Sequence, residues 1–352
     1  MSIDNTVKEK ISVEVIKTLV TRFESFPKDA SNNRNAPFHE AFLNAFANKL
    51  EDKVSDIPFF ISLSSWLQGL NTTLGQSFFE KIAHYLCDGE KREYTSKKLG
   101  NLQITQNQKY TVNQIITALS NSKYFPSLDC ENNQLFHDDH SPLVNAIDFS
   151  ADVFYEDIDS VIAIELKSVK PNSGEMRGEK QKILEGKAAL YHGFPNKKIY
   201  FYIGFPFDPT VNPLNEPATS YNKSRFLGSI INMNKFFCHE ETLIASELWD
   251  FLSGGKNTME EIIEIINTIS TTEFQDKFQL LTNNSNRNTQ KYIAQLQEWN
   301  LLSEKKLIEN DIAIRQQIAN NNSLTRTYNK NALDSKGNYD WQRYHVLKKL
   351  IR

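Results

Sequence analysis

Between Ala151 and Val169 the chain carries the pattern that most restricts its fold. The segments Ala151–Asp157 (ADVFYED) and Val161–Val169 (VIAIELKSV) are rich in β-branched and aromatic residues, so each reads as a strand. The short link Ile158-Asp159-Ser160 suits a hairpin. Side chains alternate along a strand, so Glu165 and Lys167 share one face while Ile164 and Leu166 turn toward a core. A closed hairpin brings Asp152 beside Glu165. Two carboxylates and one ammonium then converge at one spot.

The flanking sequence sets this hairpin in an α/β fold. Helical spacing of Ile11, Val15, Ile16, Leu19 and Phe23 predicts a helix over Val7–Phe26 that stops at Pro27. A polar loop, Asp29–Ala36, separates it from a helix over Pro37–Leu50, on which Phe38, Phe42 and Phe46 mark the expected buried face. Further helices are predicted around Pro58–Leu70, Gln76–Cys87 and Tyr110–Ser120. After the hairpin come the turn residues Pro171-Asn172-Ser173-Gly174, a helix over Glu175–His192 closed by Gly193, and a buried strand over Ile199–Phe205. Strand, strand, helix, strand indicates a mixed sheet with a covering helix. Beyond the proline-rich loop Pro206–Pro217, helices are predicted over Glu241–Leu252, Met259–Ile269, Phe274–Leu281, Gln290–Leu301 and Glu304–Ile318. The tail Ser323–Arg352 holds seven Lys or Arg against two Asp, which suits either a phosphate backbone or a solvated surface. The expected organisation is an N-terminal helical segment 1–34, a core 35–255 with the hairpin 151–169, and a helical C-terminal region 256–352 with a basic tail.

Composition excludes little. The net charge of −3, from 40 Lys and Arg against 43 Asp and Glu, does not mark a nucleic-acid binder. Such a protein needs only a local basic face, and acidic metal ligands carry charge that a bound cation offsets. No run long and apolar enough for a membrane span is present, and the N-terminus lacks the apolar stretch of a secretory signal. Three scattered cysteines, Cys87, Cys130 and Cys238, argue against a disulfide frame or zinc site and for a cytoplasmic protein. No phosphate-binding glycine loop and no Gly-x-Ser-x-Gly elbow occurs. His137-Asp138-Asp139-His140 resembles a metal cluster, but residues adjacent in a loop rarely converge on one ion.

An Asp, a Glu and a Lys at hairpin distance match the needs of phosphodiester hydrolysis. Paired carboxylates bind a hard, oxygen-seeking cation such as magnesium. The metal neutralises phosphate charge and activates water, while the lysine orients or deprotonates that water or stabilises developing charge. A lysine beside a metal and apolar strands is expected to have a lowered pKa. Glu-x-Lys alone is an ordinary surface pair in so charged a chain; Asp152 at hairpin distance and the apolar second strand weigh the functional reading evenly against that one.

Asp152–Tyr155 (DVFY), Ile164–Lys167 (IELK) and Ser168–Leu184 (SVKPNSGEMRGEKQKIL) together resemble the PD-(D/E)xK nucleases. More narrowly, they resemble type II restriction endonucleases of the TdeIII/MjaII-like group. Ala151 stands where the motif's name has Pro, a position that ligates no metal. The resemblance covers residues 145–205 most strongly. It implies a restriction-endonuclease-like core with additional N- and C-terminal helices. It makes Asp152 and Glu165 metal ligands and Lys167 the catalytic lysine, with magnesium as cofactor and double-stranded DNA as substrate. The group is associated with the interrupted palindrome GGNCC. Such a target calls for a homodimer with one site per strand, and for a cognate methyltransferase as genetic partner.

The same resemblance points to supporting residues. Nucleases of this class place a helical glutamate near the metal, and Glu40, in PFHEAFL, is the candidate. The helix after the catalytic strand borders the site, making Gln181 a catalytic candidate and Arg177, Lys180 and Lys182 DNA-binding candidates. Lys223 and Arg225 are candidates for reading bases, as are the loop with Arg34 and the pair Asn232 and Asn234. Two alternatives remain: another DNA nuclease of this fold, such as a repair or structure-specific enzyme, and a non-catalytic DNA-binding protein.

Overall fold

The hairpin forms the middle of a five-stranded sheet. A computed structural model describes residues 2–28, 37–50, 53, 56–137, 139–167 and 175–351. Its strands are β1 (Glu90–Tyr94), β2 (Gln103–Thr105), β3 (Leu143–Asn145), β4 (Phe149–Glu156), β5 (Ser160–Leu166), β6 (Lys198–Phe205) and β7 (Thr242–Ile244). Strand β4 runs antiparallel to both β1 and β5, whereas β6 lies parallel to β5 and β7 parallel to β6. Strands β2 and β3 form a separate antiparallel pair. The mixed sheet flanked by helices is the fold class expected from the sequence.

The β4–β5 turn closes when Asp157 N donates to Ser160 O (2.9 Å). A parallel neighbour for β5 needs a crossover, supplied by the helix Glu175–Gly193. That helix approaches the sheet closely at Gly186, where a Cβ atom would come within 2.7 Å of the Phe201 ring and 3.2 Å of Phe149. Its buried stripe includes Met176, Ile183, Leu184 and Leu190.

Two compact units emerge from the packing. One comprises Met1–Ile3 and Phe79–Glu261; the other comprises Asp4–Phe78 and Ile262–Arg352. Residues 37–78, read with the core from sequence, therefore pack with the C-terminal helices. In the second unit, Ile11, Val15 and Ile16 of the first helix are buried, as are Leu307, Ile314, Ile318, Tyr328 and Leu347. The basic tail is folded there: Asn322–Tyr328 and Trp341–Leu347 are helices, and Arg343 is buried against Glu304.

Several expectations need correction. Glu90–Tyr94 (EKREY) is an edge strand inside a region read as helical. The predicted helix over Glu241–Leu252 begins as strand β7, fully buried, and turns helical at Ser246. Phe42 and Phe46 do not form a buried face, being 77% and 51% exposed. Asp139, in the run not expected to gather on one ion, accepts hydrogen bonds from Thr105, Asn107 and Ser141, which hold its carboxyl well below the usual range. The loop Asp29–Ala36 with Arg34, Asp138, and the turn at residues 168–174 lie outside the described residues.

Lys180 also departs from its expected role. Its side chain is wholly buried, ion-paired with Glu131 (2.6 Å) and Glu241. Lys187 lies in the same interior, 3.6 Å from Glu241, with no hydrogen-bond partner for its ammonium among the described residues. Burial drives the Lys187 pKa down, with Glu241 pulling the other way. The unfolded chain then binds a proton that the folded chain lacks, so this group makes stability rise with pH between its lowered pKa and the ordinary lysine value. We expect Lys187→Met to be more stable relative to the parent at neutral than at alkaline pH, because only the parent takes up this proton on unfolding. Urea unfolding of variant and parent across pH 7 to 9, as round test values, checks it: the parent should gain on the variant by up to about 1.4 kcal/mol per pH unit.

Candidate active site

Asp152 and Glu165 lie opposite one another because the β4–β5 register pairs Val153 with Ile164. The Asp152 carboxylate accepts a hydrogen bond from Leu166 N (3.0 Å), and its backbone carbonyl accepts one from His84 Nε2 (2.6 Å). Lys167 N donates to Gly204 O (2.8 Å), which anchors the lysine just past β5 on the neighbouring strand. Its ammonium reaches back 2.9 Å to Glu165 Oε1 and 3.2 Å to Glu179 Oε1. Glu165 Oε2 accepts a weaker hydrogen bond from Ser150 Oγ (3.4 Å). The trio inferred from sequence is thus assembled: Lys167 touches Glu165, and Asp152 faces it across the ladder.

Three residues that sequence reasoning missed complete the arrangement. Lys91 of β1 places its ammonium 2.9 Å from Asp152 Oδ1 and 2.9 Å from Glu80 Oε2. Glu80 lies in the first turn of the helix Phe79–Cys87. Glu179, on the helix Glu175–Gly193, pairs with both Lys167 and Lys182 (3.2 Å each). A chain of alternating charge results, with Glu80, Lys91 and Asp152 on one side and Glu165, Lys167, Glu179 and Lys182 on the other.

The electrostatics follow from this crowding. Burial, and then the Asp152 carboxylate, hold Glu165 above the usual carboxylate range against the pull of Lys167. Burial also pulls Lys167 down, but Glu165 and Glu179 outweigh it and leave its pKa above the ordinary lysine value. The lowering expected of Lys167 beside a metal and apolar strands is opposed by these two flanking carboxylates, which raise it. Lys91 is balanced alike, with burial outweighed by its hydrogen bonds to Asp152 and Glu80.

Among the described residues, no group of three or more His, Cys, Asp or Glu side chains is close enough to hold a metal by itself. The donor set still fits magnesium, which keeps several waters and needs only one or two protein carboxylates beside substrate phosphates. Two facing carboxylates, one of them raised by the other, are the charge arrangement that a divalent cation relieves.

The remaining candidates fall in different places. Gln181 is half-buried and donates to Glu185 (3.2 Å), whose other oxygen accepts from Ile147 N (3.0 Å). Arg177 and Lys182 are exposed on the same helix, while Lys180 is sealed inside. Glu40 belongs to the second unit, on the helix Pro37–Leu43. Lys223 is tied to His239 O and Glu247 (2.8 Å each). Arg225 pairs with Glu216 (3.1 Å) and Thr210 (2.9 Å), so both base-reading candidates have partners within the protein.

A model of the family described as "Type II restriction endonuclease, HinfI" matches residues 3–270. The chain is 44% identical to the type II restriction enzyme MjaII of Methanocaldococcus jannaschii over 322 residues, which is 86% of this chain and 85% of that protein. No helix among the described residues is long and apolar enough to cross a membrane. A charged trio on a sheet hairpin, and likeness over most of the length to these enzymes, lead to one assignment: this chain belongs to the HinfI type of type II restriction endonucleases.

Proposed function

We propose that this protein is a type II restriction endonuclease that hydrolyses specific double-stranded DNA with magnesium, through Asp152, Glu165 and Lys167. The observation that carries the reading is the convergence of those three side chains on one hairpin face. When bound, the divalent cation neutralises charge on the scissile phosphate and lowers the pKa of a coordinated water. Asp152 and Glu165 are the residues that would hold it. Lys167, kept protonated by Glu165 and Glu179, donates hydrogen bonds that orient the attacking water and stabilise charge developing on the phosphate. Arg177 and Lys182, exposed on the adjoining helix, offer positive charge to the DNA backbone. Glu80 takes the part foreseen for Glu40, a helical acid beside the site. Gln181 positions the helix through Glu185 and so acts on the site indirectly.

A palindromic target of the GGNCC kind, implied by the resemblance, calls for two copies of the chain, one site for each strand. A partner methyltransferase would protect the host's own copies of that target. Incubating the purified protein with plasmid and magnesium should give discrete fragments whose sequenced ends share one short sequence. A random smear would indicate a nuclease of another kind, and binding without cutting in magnesium or manganese would indicate a degenerate site.

A further inference from the structure

Lys91 is the cation already present where a metal would sit. Asp152 has two oxygens: Oδ2 accepts from Leu166 N (3.0 Å), and Oδ1 is held by the Lys91 ammonium (2.9 Å). The same ammonium bonds Glu80 Oε2 (2.9 Å), so it bridges carboxylates from a helix and a central strand. It reaches them from β1, an edge strand paired with β4, at the shift in register between Glu90 and Arg92. Glu165 has its own counter-ion in Lys167. The resting site is therefore charge-compensated from within, and Asp152 has no oxygen without a donor.

We propose that Lys91 is a displaceable counter-ion that competes with the divalent cation for Asp152. It neutralises Asp152 and Glu80 while the site is empty, and it leaves Asp152 when the cation binds. An ammonium and a divalent cation repel strongly when both lie against one carboxylate oxygen, so the two states exclude each other. Lys91 keeps a partner after release, because Glu80 remains beside it. A plain surface ion pair predicts something different: it contributes little to stability and nothing to metal affinity.

This inference rests on the reading of Asp152 as a metal ligand, and the test separates the two. Manganese is titrated into the full-length protein without DNA, and free Mn²⁺ is read by electron paramagnetic resonance, so no cleavage is involved. The parent protein should bind Mn²⁺ at a site that Asp152→Asn removes. Removing a like charge at this range changes the occupancy of a charged site by about tenfold or more, so Lys91→Met should bind Mn²⁺ that much more tightly. Lys91→Arg, which retains the charge, should stay near the parent. Lys91→Gln, matched in length but neutral, serves if the Met variant melts abnormally. Unchanged or weaker Mn²⁺ binding in both neutral variants overturns the counter-ion role while leaving the metal site standing. Parental binding that Asp152→Asn does not affect overturns the metal-site reading, and the counter-ion role with it.

Discussion

Replacing Asp152 or Glu165 with alanine should lower DNA cleavage by about a thousandfold or more while leaving DNA binding largely intact. Each change removes one of two facing carboxylates that would share a cation, and among the described residues no group of three or more acidic, His or Cys side chains could hold one by itself. The two variants should nevertheless differ in stability. Asp152→Ala deprives Lys91 and Leu166 N of their acceptor. Glu165→Ala removes a carboxylate that burial and Asp152 both disfavour, so it should cost the fold less. Single-turnover cleavage and gel-shift binding in calcium, run on the same preparations, check the first claim. Retained cutting in either variant would remove that residue from the site.

The second large effect lies far from that chemistry in sequence. Glu304 is fully buried between two arginines: Arg343 Nη1 donates to its Oε2 (2.6 Å) and Arg287 Nη2 to its Oε1 (3.0 Å). Tyr339 adds a weaker hydrogen bond (3.3 Å), and both guanidiniums also bond Tyr328 O. Removing one member of a buried ionic set leaves the others uncompensated, which costs about 3–5 kcal/mol. Glu304→Gln should lose that much, because its amide keeps the shape but presents no charge to two buried cations. Denaturation is measured at about pH 8, where the parent is ionised. A loss below about 1 kcal/mol, the range of exposed pairs, would contradict the account of this network.

The hairpin was legible because both of its strands are dense in β-branched and aromatic residues and a short polar link joins them. The crossover helix was legible to within a residue at each end, since a helical stripe ends at Gly193. Glu80 and Lys91 were not legible. They come from a helix and an edge strand some 60 to 70 positions before Asp152, and EKREY has the charge of a solvated segment. Charge on an edge strand is a common defence against pairing with another chain, and it hides the strand from any apolar-period reading. Lys180 shows the opposite failure: a basic residue on a basic helix was read as exposed. The signal was in the spacing, because Lys180 and Lys187 fall in the stripe of Met176, Ile183 and Leu184, whereas Arg177 and Lys182 do not. What no spacing revealed was why lysines are tolerated there. Their partners Glu131 and Glu241 stand some 50 to 60 residues away on either side of Lys180.

Anomalous diffraction from crystals soaked in manganese tests the central claim most directly. The account predicts a manganese peak within coordinating distance of one oxygen from Asp152 and one from Glu165, with Lys91 withdrawn from Asp152. Manganese bound elsewhere in a protein that cuts DNA, with Asp152 and Glu165 still paired to their lysines, would contradict it.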